Sequence, residues 1–314
     1  MRRGLGRAFA GVPRLTAPGP VPSLPRVRLA GKGQGLRDDI VGICRFSFLG
    51  KCDWAETTGK DGNTAETMQR RRAMLYAPER LARRFAAFER LCLPSIRAQT
   101  DADFSFWLLT SPELPAEWLA RLRGLCADLP QVRVIVSDSR DTQDALRQPL
   151  LQAAEAAGRP LIQFRVDDDD AFSRHHVARL RRHARRFADL PAFAISYPQG
   201  LVFGSYEGEP VSFWRAHQPF IGAGAAVRMR GPGRSIYAFN HFQLPKHFPG
   251  LTDVRGLGYV QTRWDEGDSV ATIWAKFPKW FQPLTAEAFQ RDLAEDFPFL
   301  QGLDLGFVER KGAA

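Results

Sequence analysis

The stretch Leu161-Ile162-Gln163-Phe164-Arg165-Val166-Asp167-Asp168-Asp169-Asp170 decides the fold. Leu161, Ile162, Phe164 and Val166 suit a buried strand, and the run then breaks into four consecutive carboxylates. Adjacent negative charges repel, so the run costs free energy unless a cation neutralises it. A helix cap or turn would use one or two such residues, not four. Hard divalent ions prefer oxygen ligands, which makes Mg²⁺ or Mn²⁺ the natural counter-charge. Side chains alternate along an extended backbone, so Asp167 and Asp169 are expected to point one way and Asp168 and Asp170 the other. An Asp-x-Asp pair then stands at the carboxyl end of a strand, where open α/β sheets bind their ligands.

Working outward, the preceding segments alternate. Asp39 to Phe48 reads as a first strand on Ile40, Val41, Ile43 and Phe46. A polar stretch from Gly50 to Thr67 follows. Leu81, Phe85, Phe88 and Cys92 recur at helical spacing after Pro78, and Pro94 should end or kink that helix. Phe104 to Leu109 is a second strand, Trp118 to Leu125 a short helix, and Val132 to Val136 a third strand. Thr142 to Ala157 is another helix. Strand and helix alternating in this way predict a parallel sheet with crossover helices. Its carboxyl rim would hold Arg45 to Phe48, Ser111, Asp138 and the acidic run.

After the run, Val177, Leu180, Ala184 and Phe187 stripe one helix face, while Arg174, Arg181, Arg182, Arg185 and Arg186 line the other. That face, with His175, His176 and His183, reads as solvated. Beyond Pro191 short β-like runs broken by Gly and Pro predict an antiparallel C-terminal extension of the sheet. Trp264, Trp274, Trp280 and Phe281 crowd the last third; such rings are core or stack on sugars.

The chain has 314 residues and a formal charge of +10. Residues 1–37 carry eight of the basic residues (Arg2, Arg3, Arg7, Arg14, Arg26, Arg28, Lys32 and Arg37) and no acid, leaving +2 for the remainder. The main part is therefore near neutral, which argues against a nucleic-acid partner. The leader reads as a disordered basic tail before one domain over 38–310. It either contacts anionic lipid peripherally or is a solvated extension. The scattered Cys44, Cys52, Cys92 and Cys126 fit a reducing cytoplasm.

Two carboxylates leave open positions on a metal, and Mg²⁺ commonly fills these with water and phosphates, which points to a phosphate-bearing donor. No P-loop and no dinucleotide-binding glycine fingerprint follows the first strand. Arg165, on the same strand face as Asp167, would neutralise phosphates or pair with the acids.

Arg45-Phe46-Ser47, Leu93-Pro94-Ser95-Ile96-Arg97-Ala98-Gln99-Thr100, Phe106-Trp107-Leu108-Leu109 and Gln163 to Asp170 together resemble the bacterial rhamnosyltransferase family, whose members look like GT-A-type glycosyltransferases. The likeness runs from about Asp39 to about Phe281. It implies a metal-dependent glycosyltransferase with a GT-A-like mostly parallel sheet. The donor would be a nucleoside-diphosphate-sugar, with rhamnose as the named sugar, and the acceptor a saccharide or glycoconjugate hydroxyl in surface-polysaccharide synthesis. It places nucleotide-sugar contacts at Arg45, Ser47, Ser111, Asp138, Arg165, Asp167 and Asp168. It places a Mn²⁺ or Mg²⁺ ion at Asp167, Asp169 and Asp170. For an inverting transfer a carboxylate must take the acceptor proton, and the acidic cluster after Trp264 offers Asp265, then Glu266. His241 stands as a further metal ligand or a structural histidine. Two other classes stay open: a phosphohydrolase or nuclease using the same acids, and a non-catalytic protein that binds through its tail.

Overall fold

The computed structural model describes residues 39–50, 64–206, 209–264 and 277–304. By internal contacts the chain divides into Met1–Gly35 and Leu36–Ala314, and every described residue belongs to the second unit.

Strand β1 (Ile40–Arg45) is an interior strand of the central sheet. The helices that follow it are α1 (Ala65–Leu75), capped by Thr64, α2 (Pro78–Ala87), opened by its proline, and α3 (Leu93–Arg97). A π-turn at Phe88–Cys92 joins α2 to α3, so the helix continues past the expected break and Pro94 falls in the first turn of α3. Such a turn inserts an extra residue and re-aims the faces on either side of it. Strand β2 (Ser105–Thr110), helix α4 (Ala116–Leu125), strand β3 (Val132–Val136), helix α5 (Thr142–Ala157) and strand β4 (Ile162–Arg165) complete the alternation. Strands β4, β1, β2 and β3 lie side by side and parallel.

Both faces of these strands are covered, which is why they read as nearly continuous apolar runs. On one face Ile40, Phe106 and Phe164 pack with Phe85, Phe88 and Leu93; on the other Val41, Trp107 and Leu109 pack with Leu146 and Leu150 of α5. Gly42 sits where a Cβ would lie 2.4 Å from the Phe164 ring and 2.6 Å from that of Phe106. Only glycine lets those rings close over the sheet centre.

The acidic run departs from the sequence expectation. After β4 the chain turns, with Asp170 N–H donating to the Asp167 carbonyl (3.2 Å), and Asp170 starts a new strand, β5 (Asp170–Phe172). The four carboxylates therefore do not alternate as they would along one extended strand. Helix α6 (His176–Arg186) follows, then β6 (Phe193–Ser196), β7 (Gln199–Ser205), β8 (Ser212–His217) and β9 (Ala226–Arg228). The short α7 (Leu244–His247), β10 (Gly250–Thr252), β11 (Tyr259–Trp264), β12 (Phe281–Leu284) and α8 (Ala286–Asp296) end the described chain.

Strand β9 runs antiparallel to β4 and extends the central sheet through β6 and β10, giving the order β10-β6-β9-β4-β1-β2-β3. The rest of the C-terminal half builds a second, largely antiparallel sheet, β12-β8-β7-β11-β5. The acidic run is the hinge between the two sheets. The fold is thus mixed α/β with a mostly parallel central sheet.

Helix α6 corrects another expectation. His176 and His183 are each 1% exposed, and Arg179 and Arg181 are buried as well. Arg181 reaches Asp101 (2.7 Å), while Asp253 takes His183 (2.6 Å) and Arg179 (3.4 Å). Buried charges need such partners, and arginine content alone does not reveal them. Cys44, Cys92 and Cys126 are buried free thiols.

Candidate active site

The backbone leaving β1 bends sharply at Ser47, whose φ is +45°. Side chains from neighbouring elements hold this bend. Ser111 Oγ accepts from Leu49 N–H (2.8 Å), Tyr76 Oη donates to the Ser47 carbonyl (3.3 Å), and Arg71 donates to the Gly50 carbonyl. Ser111 is fully buried, so its observed work is to fix the rim loop. Asp138 lies exposed beyond β3, the edge strand of the sheet, and is not brought to the acidic run.

Arg45 ends β1 and Arg165 ends β4, the adjacent parallel strand. Both guanidinium groups lie against the ring of Tyr237, at 4.6 and 4.5 Å from its centroid. The Tyr237 hydroxyl donates to the Ile43 carbonyl (3.1 Å), and Ser235 caps the short turn that presents it. A Cβ on Gly222 would stand 3.3 Å from Arg165 Nε, so this glycine leaves the guanidinium room to lie flat. Cation–π contact and a hydrogen-bonded ring give two long, mobile side chains one geometry.

Asp167 faces this pair. Its side chain is 38% exposed, and Arg165 Nη2 lies 3.7 Å from its carboxylate. Partial burial would raise its pKa, but Arg165 first, then Arg45, Arg84 and His241 outweigh that and hold it below the ordinary aspartate value. Asp167 therefore stays ionised at the mouth of the site.

The other acids have partners already. Arg84, from α2, ion-pairs with fully buried Asp168 and bonds Asp169 through Nη1 (2.5 Å) and Nη2 (3.3 Å). Asp170 turns into the second sheet, where it accepts from Gln261 Nε2 (3.2 Å) and Thr262 N–H (3.3 Å). Burial pushes its carboxyl well above the usual range, and the charges of Asp169 and Asp167 add to that, against Arg263 and Gln261. Asp170, expected among the metal ligands, is thus drawn into the second sheet by these partners.

His241 Nδ1 contacts the Phe220 carbonyl (2.6 Å). Asp265 and Glu266 lie outside the described residues. Among the described residues no three His, Cys, Asp or Glu side chains converge on one metal position. Asp167 and Asp169 nonetheless offer the hard oxygen donors a divalent ion takes, and Mg²⁺ commonly needs only one or two carboxylates when phosphates supply the rest. The donor chemistry fits, with Arg84 as a competitor at Asp169.

Neither Arg84 nor Tyr237 was singled out by sequence. Arg84 stands among several arginines of α2, and it meets Asp168 across 84 residues of chain. The Ser-x-Tyr turn at 235–237 gives no local sign that two strand ends will lean on it.

Arginines and acids are thus gathered at the ends of adjacent strands of a mixed α/β fold, a set of charges able to bind a phosphate-bearing anion. Residues 39–276 match the family described as "Putative rhamnosyl transferase", and the chain belongs to that family, which places it among the glycosyltransferases. No curated protein matches. Among solved structures, S. aureus TarS 1-349 aligns at 10% identity over 71% of this chain and 60% of that one, with a TM-score of 0.37. The same fragment with UDP-GlcNAc aligns at 9% identity over 83% and 71%, with a TM-score of 0.39. The chain spans about three fifths of the first of these.

Proposed function

We propose that this protein transfers a sugar from a nucleoside-diphosphate-sugar to a hydroxyl of a saccharide or glycoconjugate acceptor, with rhamnose as the sugar its family name suggests. One observation carries the reading: Arg45 and Arg165 are locked on Tyr237 beside an ionised Asp167, at adjacent strand ends. Two fixed guanidiniums suit a diphosphate, and their preorganisation means little rearrangement as negative charge builds on the leaving group. A divalent ion held by Asp167 and Asp169 supplies further neutralisation of that charge when bound.

The chain's own residues then divide the work. Arg45 and Arg165 orient the diphosphate, and Tyr237 holds their spacing. Ser47 and Ser111 shape the loop at the nucleotide end. Asp265, with Glu266 beside it, is the proposed acceptor base. The hard oxygen donors of Asp167 and Asp169 support metal dependence, since Mg²⁺ commonly needs only one or two carboxylates when phosphates supply the rest. The basic residues of 1–37 suit peripheral contact with an anionic membrane, and no described helix is long and apolar enough to cross one.

Incubation with a panel of nucleotide-sugars, with and without Mn²⁺, tests the reading through nucleoside diphosphate release. One donor should be consumed in Mn²⁺ and spared by Asp167→Asn. Release of inorganic phosphate from simple phosphate esters, with no donor consumed, would favour a phosphohydrolase instead.

A further inference from the structure

We infer that Arg84 is the resident cation of the acidic run, and that it keeps a divalent ion out until a diphosphate arrives with it. The inference rests on the proposed donor chemistry but concerns a residue that chemistry does not assign. Arg84 is 13% exposed at its side chain, and its guanidinium spans two acids, pairing with Asp168 and gripping Asp169 through both terminal nitrogens. Its Nε lies 3.2 Å from the second Asp168 oxygen. A guanidinium presents a planar fork that matches carboxylates, and here Nε and both terminal nitrogens are turned to them.

Asp169 is one of the two carboxylates suited to the metal, so an ion arriving alone meets a site whose counter-charge is already in place. To bind there it must displace Arg84 from Asp169 and leave a largely buried guanidinium with one partner fewer, which is unfavourable. A diphosphate changes that balance. It brings anionic oxygens that accept from Arg84 and coordinate the ion together, so both cations keep full sets of partners. Metal and nucleotide therefore bind as one thermodynamic unit, and each raises the affinity for the other by the same factor.

Helix α2 holds Arg84 in this position. The buried Leu81 and Phe85 on either side anchor the helix in the core, and the Trp264 ring lies 6.0 Å from the guanidinium. The pairing is a fixed feature of the fold.

Electron paramagnetic resonance of Mn²⁺ titrated into the full chain reads the inference without any turnover. The titration is run alone and then with UDP, GDP and dTDP in turn. Wild type should take up Mn²⁺ at least about tenfold more tightly with the accepted nucleotide than without it. Arg84→Gln should bind Mn²⁺ alone about tenfold or more tighter than wild type, while Arg84→Lys, which keeps the charge but not the fork, should fall between the two. Equal wild-type affinity with and without every nucleotide that binds overturns the inference, whether or not Arg84→Gln folds. An unchanged or weaker Mn²⁺ affinity of folded Arg84→Gln overturns it as well, with the donor reading intact. If no nucleotide and no Mn²⁺ bind at all, the donor reading itself fails and the inference with it.

Discussion

Tyr237 sets the spacing of the two guanidiniums that face Asp167, and it does so with a ring and one hydrogen bond. The two parts are separable. Tyr237→Leu removes the ring, frees both arginines and should weaken nucleoside diphosphate binding about tenfold, on the order of 1.4 kcal/mol. Tyr237→Phe keeps the ring and loses only the bond to the Ile43 carbonyl. Calorimetry should find its affinity within about twofold of wild type, and thermal unfolding should find it ~1 kcal/mol less stable. Equal affinities for the leucine and phenylalanine variants would remove Tyr237 from the account. Neither this residue nor Arg84 could be read from the sequence, because each acts across more than seventy positions and interrupts no pattern. The acids were legible as a cluster for the opposite reason: four like charges in a row demand an explanation wherever they fold.

At the scale of elements, periodicity carried the reading wherever an element buries a simple face. Val132–Val136 and Thr142–Ala157 appear in the structure with the boundaries that their apolar spacing predicts. The reading stopped where tertiary contacts override the local pattern. Nothing in Asp167 to Asp170 announces a turn that hands the chain from one sheet to another, and nothing in α6 separates buried histidines from exposed ones. His176 shows the consequence. It lies against the rings of Phe164 (4.7 Å), Phe172 (5.4 Å) and Tyr197 (4.9 Å), in a space that Gly224 leaves open. Burial, with Arg179 adding, drives its pKa down to about 3. The unfolded chain thus binds a proton near pH 6.5 that the folded chain refuses, so stability falls as pH drops below that value. The loss reaches about 2 kcal/mol by pH 5. Denaturant unfolding of His176→Leu should show a flatter stability profile between pH 7 and pH 5 than wild type; an equally steep one would contradict this origin. Ser111→Ala tests the rim loop in the same assay. It leaves the Leu49 N–H buried without its acceptor, at a cost of about 1–3 kcal/mol.

For the whole molecule, charge is unevenly distributed along the chain. Eight of the ten net positive charges fall in residues 1–37, and the remainder balances acids against arginines at the strand ends. Removing 1–37 should leave donor consumption within about twofold of wild type and abolish sedimentation with anionic vesicles at low salt. Loss of donor consumption would tie the tail to catalysis instead. Everything proposed about chemistry nevertheless rests on one claim, that the rim between β1 and β4 is a diphosphate site. Calorimetric titration of the accepted nucleoside diphosphate in saturating Mn²⁺, into wild type, Arg165→Ala and Asp167→Ala, addresses it most directly. The account predicts clear binding to wild type and at least about tenfold weaker binding to each folded variant. Undiminished binding by both variants would place the nucleotide elsewhere and contradict the account.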